Sequence, residues 1–66
     1  MNRIKEVLYE KGINQTELAN LLGRSLNIVN LYVTNRVQPP FPILYRIAEL
    51  LNVDARTLLI PNKRMR

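Results

Sequence analysis

The 66-residue sequence has no cysteine and no histidine. No disulfide can therefore staple this short chain, and the familiar zinc sites cannot be assembled. The five carboxylates stand singly along the chain, which argues against an active site. The sequence points to no metal, no cofactor and no small-molecule ligand. Long apolar runs are also missing. None approaches the roughly 7–15 residues of a leader's apolar core or the ~20 of a membrane-spanning helix. The expectation is a soluble cytoplasmic protein of one domain. A chain of this length buries only a small core, and such domains often gain stability by oligomerising.

What is present is positive charge, unevenly spread. The formal net charge is +5. Over residues 1–23, Arg3, Lys5 and Lys11 are cancelled by Glu6, Glu10 and Glu17. Beyond Gly23, Arg24, Arg36, Arg46, Arg56, Lys63, Arg64 and Arg66 face only Glu49 and Asp54, so the whole excess lies there. A polyanionic partner and a merely solvated basic surface both fit that imbalance.

Apolar spacing predicts an all-α fold, a compact bundle of four or five helices. Ile4, Val7 and Leu8 recur at three and four residues, the spacing of one helix face; Asn2 can cap its start and Gly12 end it. Asn14 and Glu17 have the spacing of a capping box opening a second helix, with Leu18, Ala19, Leu21 and Leu22 as its buried side. Gly23 closes that helix. Ser25 caps a third over Leu26 to Val33, which Thr34 and a left-handed Asn35 end. Only Gly23 and Arg24 separate the second helix from the Ser25 cap, a turn tight enough to make a helix-turn-helix unit. Pro42 suits the first turn of a fourth helix whose stripe is Ile43, Leu44, Ile47, Ala48, Leu50 and Leu51, with Asn52 as its stop. Asp54 then caps a short fifth helix carrying Leu58, Leu59 and Ile60, which Pro61 ends. The domain is expected over residues 1–61, followed by a flexible basic tail over 62–66. Nothing reads as a strand ladder.

Gln15-Thr16-Glu17-Leu18-Ala19, Leu22-Gly23-Arg24-Ser25, Val29, Tyr32, Asn35-Arg36 and Gln38-Pro39 together resemble the Cro/repressor family of helix-turn-helix regulators. Ile47 to Asp54, followed by Leu58-Leu59, is similar to that family's closing helices. The resemblance runs over roughly residues 3 to 60 and implies a lambda-repressor-like DNA-binding domain. The third helix reads the same way on its own terms. With Val29, Tyr32 and Val33 turned inward, Leu26, Asn27, Asn30 and Leu31 lie outward, and asparagine is the side chain that pairs bidentately with adenine. Two ordinary polar surface residues are the competing reading.

Residue by residue, the resemblance places the base-contacting positions on Leu26, Asn27, Asn30 and Leu31. Two of these are leucines, a departure that leaves two readings: contact with thymine methyls, or packing against a neighbouring element or subunit. Gln15 resembles the glutamine that reaches a backbone phosphate, and Arg36 the cation beyond the recognition helix; Ser25 and Arg24, the latter in a turn where the family usually has a small apolar residue, complete the expected backbone contacts. Many relatives pair an arginine of the first helix with a glutamate late in the third. Leu8 and Val33 occupy those positions here, an apolar contact in place of an ion pair. Pro40-Phe41-Pro42 departs from the usual Ser or Thr cap of the fourth helix. A recognition helix this short reads few base pairs, so useful specificity calls for a homodimer on a palindromic operator; the expected function is a double-stranded DNA binder that represses or autoregulates transcription. Leu58, Leu59 and Ile60 are the candidate dimer face, with plain core the other reading. A protein-binding module such as an antitoxin or adaptor is the alternative function.

Overall fold

The computed structural model describes residues 1–59. Four α-helices, α1 (Ile4–Lys11), α2 (Gln15–Leu22), α3 (Leu26–Val33) and α4 (Phe41–Leu51), are followed by a 3-10 turn over Ala55–Leu58. No helix among them is long and apolar enough to cross a membrane.

Local chemistry sets nearly every boundary. Gly12 (φ +69°) and Gly23 (φ +72°) adopt the left-handed conformation that ends α1 and α2. At the start of α2 the Asn14 side chain accepts the Glu17 amide at 2.8 Å, and the Glu17 carboxylate accepts the Asn14 amide at 2.9 Å. Ser25 Oγ accepts the Ile28 amide at 3.1 Å and caps α3. Asn35 (φ +62°) and Asn52 (φ +58°) take the glycine-like conformation after α3 and α4, which asparagine tolerates better than other side chains. The start of α1 differs from expectation. Arg3 occupies the cap position, and Asn2 reaches past it to accept the Ile4 amide at 3.0 Å.

The core draws on every helix and on the 3-10 turn: Ile4, Val7 and Leu8 from α1, Leu18 and Ala19 from α2, Val29, Tyr32 and Val33 from α3, Leu44, Ile47, Ala48 and Leu51 from α4, and Leu58. Ile43 and Leu50 border it. Leu21 does not join it and is 51 % exposed. At about 100° per residue, Leu18, Leu22 and Ala19 span one arc of α2, and Leu21 falls roughly 110° from its middle.

The closing segment also departs from the sequence reading. The 3-10 turn stops at Leu58, and Leu59 is extended (φ −93°, ψ 145°), forming a one-residue antiparallel bridge with Asn2. Instead of continuing a helix, the Leu58 carbonyl accepts the Arg3 amide at 2.7 Å. Leu58 is wholly buried, so it belongs to the core and cannot serve as a dimer face. Leu59 remains 43 % exposed. Ile60, Pro61 and the expected tail lie outside the described residues. The Arg56 side chain and amide hold the Asp54 carboxyl below the usual carboxylate range, and the two side chains form the one ion pair among the described residues.

Leu8 and Val33 are both buried, and both line the cleft between α1 and the α2–α3 unit. Leu8→Ala should destabilise the domain by about 2–5 kcal/mol in denaturant melts. Leu8→Arg should cost more, because it buries a cation, and adding Val33→Glu should recover part of the loss. A double variant no more stable than Leu8→Arg alone would show that the two positions do not face each other.

Candidate nucleic-acid interface

The start of α2 and the outer side of α3 meet through Gln15 and Asn30, and the loop after α3 continues from the far end of that helix. Burial of Val29, Tyr32 and Val33 fixes which side of α3 faces out. Leu26, Asn27 and Asn30 are exposed and Leu31 is half-buried, so the sequence-predicted face is the solvent face. No charged side chain lies on α3 itself. The cations stand at its ends, Arg24 in the preceding turn and Arg36 in the following loop, both exposed. Eight residues of helix rise about 12 Å, so these arginines flank a neutral surface of roughly that length.

Gln15, the first residue of α2, is half-buried. Its Oε1 accepts a hydrogen bond from Asn30 Nδ2 at 3.1 Å. Two residues singled out separately in the sequence are thus joined across the helix-turn-helix. The bond uses one of the two Asn30 N–H donors; among the described residues the other donor and Oδ1 have no partner, and they are the pair that an adenine edge requires. Gln15 and Leu26 also border a shallow groove whose far wall is α1, through Lys5, Leu8 and Tyr9. Ser25 spends its oxygen on the α3 cap, and its hydroxyl hydrogen remains available to an acceptor.

Sequence reading missed the anchor of the loop that carries Arg36. Asn2 is buried, and both its backbone and its side chain bond to the end of α3 and the loop beyond, through Tyr32, Asn35 and Gln38. The partners lie 30 to 36 positions away, beyond any local pattern. The hint within the sequence was Asn35 itself, which the left-handed position already required.

The profile of the Cro/C1-type HTH DNA-binding domain matches residues 3–64. The chain belongs to that family. Its Cro/C1-type fold is lambda-repressor-like, with the helix-turn-helix formed by α2 and α3. Among solved structures it is similar to a candidate DNA-binding protein from Bacteroides fragilis, with 45 % identity and a TM-score of 0.86 over 88 % of this chain and 94 % of that one. No curated protein matches the chain.

The caps that aim α2 and α3 set the pose of this Cro/C1-type surface. Asn14→Ala and Ser25→Ala should each lower stability by about 1 kcal/mol in thermal melts, whereas Ser25→Asp should cost little, since aspartate caps equally well. Equal losses from Ser25→Ala and Ser25→Asp would show that the Ser25 cap contributes nothing.

Proposed function

We propose that the protein is a sequence-specific regulator of transcription that binds double-stranded DNA. In this reading it represses or autoregulates by occupying a palindromic operator as a homodimer in the cytoplasm of a bacterium or a phage-infected cell. The observation that carries it is the neutral solvent face of α3 with an exposed arginine beyond each end, on a domain of a DNA-binding family. Such a face separates two tasks. Uncharged amides read base edges, while cations and helix N-termini hold phosphates and set register.

Asn27 and Asn30 take the reading role, and Leu26 and Leu31 stand beside them. Leu26 opens α3 and is 48 % exposed. It offers an apolar surface to a thymine methyl at the end of the helix that contacts bases in helix-turn-helix docking. Leu31 is half-buried and offers less. Gln15, Arg24, Ser25 and Arg36 hold the backbone. Gln15 is well placed to do so, since its amide group spans from the α2 N-terminus to Asn30. Of the sequence-proposed dimer residues described here, Leu59 retains an exposed apolar side chain.

Binding-site selection with salt titrations tests these roles. Asn27→Ala should flatten one column of the selected site, at a cost of about 1–3 kcal/mol on the best sequence, and leave non-specific affinity nearly intact. Arg36→Ala should weaken all sequences alike and make the log–log salt slope shallower by about 0.9. A wild-type protein whose DNA affinity does not change with salt would refute operator binding and favour a protein partner.

A further inference from the structure

Asn2 is the one buried polar side chain among the described residues, and its hydrogen-bonding groups are satisfied in an uncommon way. Its backbone N–H donates to Asn35 Oδ1 at 2.7 Å, and its backbone carbonyl accepts from Asn35 Nδ2 at 3.1 Å. The Asn35 side-chain amide thus does what a neighbouring strand's peptide would do, exchanging both bonds with a single residue. On the chain's other side Asn2 pairs with Leu59. The Asn2 side chain extends the link: Nδ2 donates to the Tyr32 carbonyl and to Gln38 Oε1, both at 3.0 Å, and Oδ1 accepts the Ile4 amide. Gln38 Nε2 closes the circuit by donating to Asn35 Oδ1 at 3.2 Å.

The circuit joins the N-terminus to the last turn of α3 and to both sides of Arg36, which follows Asn35 directly. Gly12 and Gly23 show that a residue without a side chain suffices to end a helix in this fold. At the end of α3 the left-handed residue is instead an asparagine whose side chain makes three hydrogen bonds. Helix termination alone does not call for them. What they add is a fixed path for the loop, so that less backbone freedom is lost when Arg36 engages a ligand.

We propose that Asn2 and Asn35 are positioning residues for DNA binding, holding the Arg36 loop in its phosphate-gripping pose before DNA arrives. The inference rests on the phosphate role given to Arg36 above. Asn35→Gly is the informative variant, because glycine keeps φ +62° without strain while all three side-chain bonds are lost. Gln38→Ala, at an exposed position, opens the same circuit more gently.

Affinity for a selected operator duplex is measured across a salt series for wild type, Asn35→Gly, Gln38→Ala, Arg36→Ala and the Asn35→Gly/Arg36→Ala pair. Circular dichroism reports folding, and nitrogen-15 relaxation reports mobility of the Arg36 amide. Asn35→Gly should weaken binding about tenfold, make the salt slope shallower as Arg36→Ala does, loosen the Arg36 amide and leave the selected sequence unchanged. Gln38→Ala should move all of these the same way by less. The double variant should bind within about twofold of Arg36→Ala, because each change removes the same contact. Losses that multiply in the double variant, or Asn35→Gly and Gln38→Ala binding as wild type does, would overturn the positioning role while leaving DNA binding intact. If Arg36→Ala itself binds like wild type, the phosphate role fails first and the positioning role with it, a result read without any change at Asn35.

Discussion

Gly23 stands between α2 and α3 at φ +72°, and a Cβ placed there would meet no atom within 4 Å. Space is therefore not what calls for glycine. The constraint is the backbone, since a left-handed φ costs most residues about 1–2 kcal/mol. Through that conformation the Gly23 and Arg24 amides both return to the Ala19 carbonyl, at 2.9 and 3.1 Å, and Ser25 can begin α3 at once. A turn this short leaves α3 little freedom of direction. Once Leu18 and Val29 are wholly buried, its rotation is fixed as well, and the identity of its outer face follows. Gln15 can reach Asn30 only because this turn holds two residues, 15 positions apart, side by side.

Much of this was legible because the signals are local. Caps act within three residues and a left-handed stop within one, so Asn14, Glu17, Gly12, Gly23, Ser25, Asn35 and Asn52 could be assigned from spacing alone. The outward positions of α3 followed from the inward ones by helical geometry. Where the reading failed, the deciding force was tertiary. Leu21 looked like core because it is leucine, but α2 meets its neighbours along a narrow arc that excludes it. Leu58 and Leu59 looked equivalent in sequence. The Leu58 carbonyl accepts the Arg3 amide at the end of the 3-10 turn, with Leu58 buried and Leu59 extended beside Asn2. A bridge of one residue has no period, and no sequence pattern announces it.

The candidate site divides along the same line. Which side chains stand outside on α3 was readable; how they are held was not. The link from Gln15 to Asn30 and the circuit around Asn2 depend on residues brought together by packing, and in a linear reading their amides look no different from solvated ones. Leu8 and Val33 fall between these cases. The resemblance placed them opposite each other, and both are buried and border the same cleft.

The absence of charge on α3 has an evolutionary consequence. In the proposed division of roles, affinity from cations outside α3 would not depend on which bases that helix prefers. If Leu26, Asn27, Asn30 and Leu31 face the bases as proposed, substitutions among them would alter preference without altering the long-range attraction between the protein and DNA. On that division of roles a lineage could drift to a new target while keeping its hold on nucleic acid, so no intermediate need pass through a state that has lost its partner.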